Sequence, residues 1–571
     1  TQAAIRGNAI FANSSVGIDL GSDGPTANDL GDLDAGPNNL QNFPSLTAAF
    51  INPAGDLVVQ YAVDSLPANS PYPLAVDLYE ADSAAGGEGR TWLGSTSLAG
   101  PGPQTLNLGA AAALGVAAGD PLVATATDAA GNTSEFSAAL TVTVETAQAG
   151  PALTVNTLAD EDDGACGARH CSLREALTAA EAGPDANTIN FAVTGEIVLL
   201  NPLPDLTTPV TVAGPGAGSL TVRRFTASEI PPAFRIFTVV GAGADVTISG
   251  LTVRDGEARN GDGGGLLNQG GALALDGVVV ANNRATCPAC EGVISGGGVF
   301  NTGSLIIRNS VLRGNLAASE GGAVATSGGS VEISDSVLTD NSAPNGGGLA
   351  ATLGATVTIR AATIAGNSAT LGGGLFNAAS SLNLQASTLT GNLGSNGAAA
   401  YNAGATTLQN VTVFSNTALT GSALHAAGVS LALDFATVSA NAGGNLRQAA
   451  GALNVSNSII AYPAGGPNCA GAVTDLGNNL QFPGFDCTDT IPALDPLLAG
   501  LADNGGPTLT QALLPGSPAI DAAGGGGACP ATDQRGALRP SGALCDLGAY
   551  EAANNSREAA QPIAEDAPVT D

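Results

Sequence analysis

Residues 330–353 read Ser330-Val-Glu-Ile-Ser-Asp-Ser-Val-Leu-Thr-Asp-Asn-Ser-Ala-Pro-Asn-Gly-Gly-Gly-Leu-Ala-Ala-Thr-Leu353. Val331-Glu-Ile333 and Val337-Leu-Thr339 alternate and are rich in β-branched residues, the pattern of short strands with one buried face. Ser-Asp and Asn-Ser-Ala-Pro-Asn-Gly form the corners, and Gly346-Gly-Gly-Leu-Ala350 begins a third strand. No window here carries the 3.6-residue apolar period of an amphipathic helix. Three strands and three corners in about 25 residues describe one coil of a parallel β-helix.

Outward from this unit the same phrase recurs at Gly263–Asn268, Gly296–Asn301 and Gly372–Asn377, with weaker copies at Gly321–Val324, Gly397–Asn402 and Gly421–His425. Asn283, Asn315, Asn341, Asn367, Asn392, Asn416 and Asn441 keep step with it, at intervals of 26, 26, 25, 24 and 25 residues from Asn315 onward. A fixed period of this size means one supersecondary unit stacked on itself. Coils lie about 4.8 Å apart, so equivalent side chains fall over one another. The Asn ranks from Asn315 to Asn441 are therefore read as a hydrogen-bonded structural ladder. The glycines suit corners that need positive φ.

The 571 residues carry 49 acidic side chains against 17 basic ones, all Arg, for a formal charge of −32. Such a surface repels nucleic acid and anionic lipid and attracts divalent cations. No apolar run is long enough to span a membrane, and no signal peptide stands at Thr1. With no Met at all, the chain is expected to be a processed or excised segment. The eight Cys form local pairs, Cys166/Cys171, Cys287/Cys290, Cys469/Cys487 and Cys529/Cys545, read as disulfides of an oxidising compartment. Cys287-Pro-Ala-Cys290 also has redox or zinc spacing, but no second Cys-x-x-Cys accompanies it.

Along the chain, 1–45 reads as an isolated β-helix-like coil followed by an Asp-rich loop, and 46–146 as an immunoglobulin-like β-sandwich. Residues 147–190 form a linker and a capping segment, 191–490 the β-helix, 491–551 a C-terminal segment and 552–571 an acidic tail. Ile5, Ile10, Phe11, Ile18 and Leu20 give the first coil its apolar face. An open β-helix end invites strand addition, so these residues are candidates for joining subunits head to tail. In the capping segment, Ser172 and Glu175 make a capping box ahead of a short helix, which would cover the open end of the coils.

Cys171-Ser-Leu-Arg-Glu-Ala176 resembles the CSLREA domain of bacterial secreted proteins. Asp495-Pro-Leu497, Asn504-Gly-Gly-Pro-Thr508, Pro515–Asp521, Asp533-Gln-Arg-Gly536 and Cys545–Glu551 resemble the choice-of-anchor Q domain. The resemblance implies a pectin-lyase-like right-handed β-helix on an exported bacterial surface protein, extracellular or held at the cell surface. The chain departs from the pattern after Glu551, where no hydrophobic anchor follows.

Pectate-lyase-like enzymes use a calcium-binding acidic cluster and a basic proton acceptor, and the related hydrolases use paired carboxylates on adjacent coils. Neither pattern stands out among the sparse acidic residues Asp262, Asp276, Glu320, Glu332, Asp335, Asp340 and Asp434, so no catalytic residue is assigned. Calcium is the one cofactor candidate, at Asp29, Asp32, Asp34 and Asn38 with Asp19 and Asp23 nearby; a solvated Asx-turn loop is the alternative. The expectation is a non-enzymatic extracellular structural protein, a surface-layer or filament subunit that polymerises with itself. The alternatives are a polysaccharide-binding adhesin and a polysaccharide lyase or hydrolase.

Overall fold

The computed structural model describes residues 2–553 except 86, 149, 163, 228–230, 288–291 and 525–528. The acidic tail and Cys290 therefore lie outside the described residues. The chain divides into one unit of residues 1–157 with 161–179, and a second of residues 158–160 with 180–571.

In the first unit, strands Gln104–Ala110, Asp56–Ala62, Ser45–Ile51 and Thr143–Val144 form one sheet. Gly89–Leu98, Leu74–Ala81, Pro121–Thr127 and Leu140–Thr141 form another. Alternate residues of both, including Leu57, Val59, Leu74, Val76, Leu78 and Leu122, share one apolar core, which makes the pair a β-sandwich. Ser172 caps the helix Leu173–Ala180: its hydroxyl accepts the Glu175 amide at 3.2 Å and its own amide donates to Glu175 Oε2 at 2.8 Å. Cys166 is bonded to Cys171 just before it.

Residues 2–21 do not form a β-helix coil; no strand occurs there. The isoleucine and asparagine pattern resembles a coil, but a coil needs a neighbouring coil to pair its backbone. Here the amides are taken up by acidic side chains of the sandwich unit instead. Ala12 donates to Asp82 at 3.1 Å, Asn13 to Glu88 at 3.0 Å and Leu20 to Glu135 at 2.9 Å, while Arg6 pairs with Asp77 at 2.8 Å. Ile18 and Leu20 are buried, Ile5 and Ile10 are half-buried, and Phe11 is exposed.

The second unit is a parallel β-helix, as the repeat predicts. Each regular coil contributes three strands, exemplified by Val324–Ser327, Ser330–Ser334 and Val337–Thr339, and each pairs in parallel with its counterpart one coil on. We call these the first, second and third faces. The third face is a 12-stranded sheet running from Gly195–Leu199 to Leu480–Phe482. The interior is filled by stacked apolar ranks such as Leu266, Val299, Val324, Leu349 and Leu375.

The asparagine ranks are buried and bonded in one line. Asn341 donates its backbone N–H and its Nδ2 to Asn367 Oδ1 at 3.0 and 2.9 Å, and the same pair of bonds links Asn283 through to Asn416 with its neighbour at each step. Asn416 passes the line to Asn441. The glycine phrase answers two constraints. Gly346 sits at φ +65°, and a Cβ on Gly347 would come within 2.5 Å of the carbonyl of Gly373 in the next coil.

Residues 491–553 return along the outside of the third face as a strap. Cys529 is bonded to Cys545 within the strap, and Cys469 to Cys487 just before it. Leu513, Ala519 and Leu547 pack on Phe435, Ile459 and Leu480. Arg539, buried, lies 4.5 Å over the Phe435 ring and 3.3 Å from Glu551. The phrases that resemble an anchor domain thus act here as packing devices. Cys287 is disulfide-bonded.

Candidate active groove on the first face

The residue just before each glycine phrase occupies one rank: Asp262, Ser295, Glu320, Asn345, Leu371 and Asn396. The amide of each following glycine donates to the carbonyl of the next residue in that rank, as Gly296 does to Glu320 and Gly321 to Asn345, both at 2.9 Å. Asp262 and Glu320 are therefore two coils apart on the same edge. At about 4.8 Å per coil this is roughly 10 Å of axial rise.

Both carboxyls face a groove of about 350 Å³ whose other walls include Val293, Phe300, Ala325 and Leu353. Val293 and Leu353 are 65% and 78% exposed, so the groove has an apolar, solvent-facing rim. Phe300, preceded in its rank by Leu267, belongs to a line of side chains on the side of the first face opposite the core. The line continues through Ala325, Ala350, Phe376, Tyr401 and His425 to Arg447. Phe376, Tyr401 and His425 stack in turn with ring centroids 5.7 and 5.0 Å apart. The small Ala325 and Ala350 open the space between Phe300 and this stack.

The two carboxyls differ in their surroundings. Burial raises the pKa of Asp262, while the Ser295 amide, 2.7 Å from its Oδ1, and the charge of Arg235 pull it back. Burial also raises Glu320; the Asn345 side chain lowers it, and the charge of Asp262 raises it further. Arg235 donates to the backbone carbonyl of Asp262 at 2.9 Å, which holds the corner rigid. His425 is buried and its pKa is lowered by burial and by Arg447, so the ring is held neutral near pH 7.

Sequence reasoning noted Asp262 and Glu320 but did not join them, because they fall on non-consecutive coils. The signal was present: each is the residue directly before a glycine phrase, Asp262-Gly-Gly-Gly and Glu320-Gly-Gly. Of the calcium candidates, Asp29, Asp32 and Asp34 come together. Asn38 turns elsewhere, bonding Ala3 and Thr133, and among the described residues Asp19 accepts only the nearby Gly24 amide at 3.3 Å. Asp23 is exposed and stands outside that group.

A parallel β-helix with a carboxylate-bearing groove on its outer face is the class that fold and site define. No family model and no curated protein matches the sequence. Among solved structures, pectate lyase Pel9A resembles it at 14% identity over 71% of this chain and 97% of that one, with a TM-score of 0.41. The A-module of mannuronan C-5 epimerase AlgE6 from Azotobacter vinelandii does so at 14% identity over 55% and 94%, TM-score 0.29. The catalytic domain of a GH87 α-1,3-glucanase matches at 13% identity over 80% and 95%, TM-score 0.26. At these values the likeness bears on the fold alone. The expectation that the protein is not an enzyme is corrected by the finding that the solved chains it is similar to are named as a lyase, an epimerase and a glucanase. The filament reading gains no support from them. Among the described residues no helix is long and apolar enough to cross a membrane.

Proposed function

We propose that this is an exported protein that binds a neutral polysaccharide along the outer side of the first face and cleaves it between Asp262 and Glu320. The observation that carries the reading is a pair of half-buried carboxyls two coils apart in one groove, each with its pKa raised by burial. Glu320, facing the charge of Asp262, is the group that keeps its proton and donates it to the glycosidic oxygen as that bond to the sugar breaks. Asp262, whose anion the Ser295 amide and Arg235 stabilise against the burial that raises its pKa, takes a proton from the attacking water. Two coils of separation, roughly 10 Å of axial rise, leave room for that water between the carboxyls, as an inverting mechanism needs.

The substrate is neutral because the two charged groups lining the groove are both acidic, and because the chain's charge of −32 repels uronic acids. Val293, Phe300 and Leu353 offer apolar surface to the faces of sugar rings. The export and surface location agree with the resemblance of Cys171–Ala176 and Asp495–Glu551 to secreted-protein domains and with the disulfides. A reducing-end assay over neutral and uronic polysaccharides tests the reading. Turnover of a neutral glycan that E320Q and D262N each reduce at least about 100-fold supports it. Binding without turnover reduces the site to an adhesin, and activity unchanged in both variants overturns it.

A further inference from the structure

The sandwich unit carries a site that the groove does not use. In the loop from Asp29 to Asn42, the carboxylates of Asp29, Asp32 and Asp34 each place an oxygen within 4.8 Å of the others. Some of these oxygens are satisfied. Asp29 Oδ2 accepts the amides of Leu33 and Asp34 at 2.9 and 3.1 Å, and Asp32 Oδ1 accepts the Asn42 amide at 2.8 Å. Asn42 itself is buried and fixes the loop by donating to the carbonyls of Asp29 and Asp64 at 2.8 and 2.6 Å.

Two oxygens are left over. Asp32 is 1% exposed, yet its Oδ2 has no hydrogen-bond donor. The neighbouring Ser70 hydroxyl donates to Gln41 Oε1. Asp34 Oδ1 is likewise shut from water without a donor. Burial first, and then the charges of Asp29 and Asp34, raise the Asp32 carboxyl to about 6 against the lowering pull of the Asn42 amide and of the nearby Ser70 hydroxyl, whose own proton goes to Gln41. Three carboxylates thus converge, two of them with a buried oxygen that accepts no hydrogen bond, and among the described residues no cation pairs with them. Hard oxygen ligands on a loop, with open positions for water, match a calcium ion better than magnesium, which demands a tighter octahedron.

We propose that Asp29, Asp32 and Asp34 bind one calcium ion, with Asp32 Oδ2 and Asp34 Oδ1 as direct ligands. The ion neutralises the cluster and pins the loop. That loop leads to Asn38, whose amide donates to the Ala3 carbonyl at 2.7 Å and accepts the Ala3 amide at 2.8 Å. Calcium thereby also tightens the hold on the N-terminal segment.

The test uses the full chain after chelation. Calcium titrated by calorimetry should bind, and the thermal transition of the sandwich unit should rise by several degrees. Magnesium at the same concentration should have a smaller effect. D32N, close in shape and uncharged, should unfold no earlier than the metal-free parent and lose the calcium response. Terbium replacing calcium should luminesce on tyrosine excitation, because Tyr72 lies close enough for the Asp32 charge to raise its pKa; Y72F should dim that emission and keep the calcium-dependent shift. Absence of a calcium effect in the parent overturns the proposal, and so does an equal effect in D32N.

Discussion

The two outer surfaces of the β-helix are treated in opposite ways. On the third face Thr388, Thr412 and Thr437 point away from the core, yet all three are buried, because the chain's own strap fills the positions opposite them. Thr388 donates to the Leu509 carbonyl at 2.6 Å, Thr412 to Gln534 Oε1 at 2.7 Å, and the Ala549 amide donates to Thr437 at 3.0 Å. On the first face the groove keeps two half-buried carboxyls and an exposed apolar rim, with no such cover among the described residues. A surface sealed by matched hydrogen bonds is structural. A surface that keeps carboxyls partly desolvated retains a cost that a ligand can offset.

Four measurements would break or sharpen this contrast. R539L should have the largest effect. It removes a buried cation and leaves Glu551 unpaired, so unfolding should become easier by ~3–5 kcal/mol and the strap should become protease-sensitive. If R539L melts like the parent, the strap is not sealed as described. N367A comes next, within the coils. It takes the acceptor from both Asn341 donors and should cost ~2–4 kcal/mol by thermal unfolding, whatever happens at either outer surface.

The third measurement is a pH profile of the strap. Burial raises Asp546 to about 6, against the amides of Ala552 and Asp521, which lower it. A carboxyl whose folded pKa exceeds its unfolded value of ~3.9 stabilises fully below that value, and its contribution is lost as pH rises through about 6. Strap release by limited proteolysis should therefore be slower at pH 4.5 than at pH 7.5, by the equivalent of ~2 kcal/mol at most, and D546N should flatten the difference. A slope of the opposite sign would refute the assignment. The smallest stability effect is expected from E320Q on the open face: below ~0.5 kcal/mol, because it removes a charge that burial already disfavours. A large loss of stability there would show Glu320 to be structural.

The coils were legible in sequence because stacking imposes the same demand at every turn. Asn341 and Asn367 must bond each other, and Gly346 and Gly347 admit no side chain, so the residues recur and the period appears. The groove was not legible, because function needs Asp262 and Glu320 once each rather than once per coil. The N-terminal segment misled for the reverse reason: Ile5–Asn13 has the composition of a coil, but its partners Asp82 and Glu88 lie in another fold and leave no periodic trace. The calcium candidates were visible as a local Asp spacing. That Asn38 bonds Ala3 and Thr133 instead depends on a long-range meeting no spacing encodes.

A stack of coils touching only nearest neighbours behaves as a one-dimensional chain of units, free to fray one at a time from its end. The strap changes that for the last coils. Its bonds reach back 121, 122, 146 and 112 residues, from Leu509, Gln534 and Ala549 to threonines on three successive coils. Those coils cannot leave singly without releasing the strap from all of them. The C-terminal third of the solenoid should therefore exchange its amide hydrogens as a single cooperative block, whereas coils ahead of Thr388 open progressively.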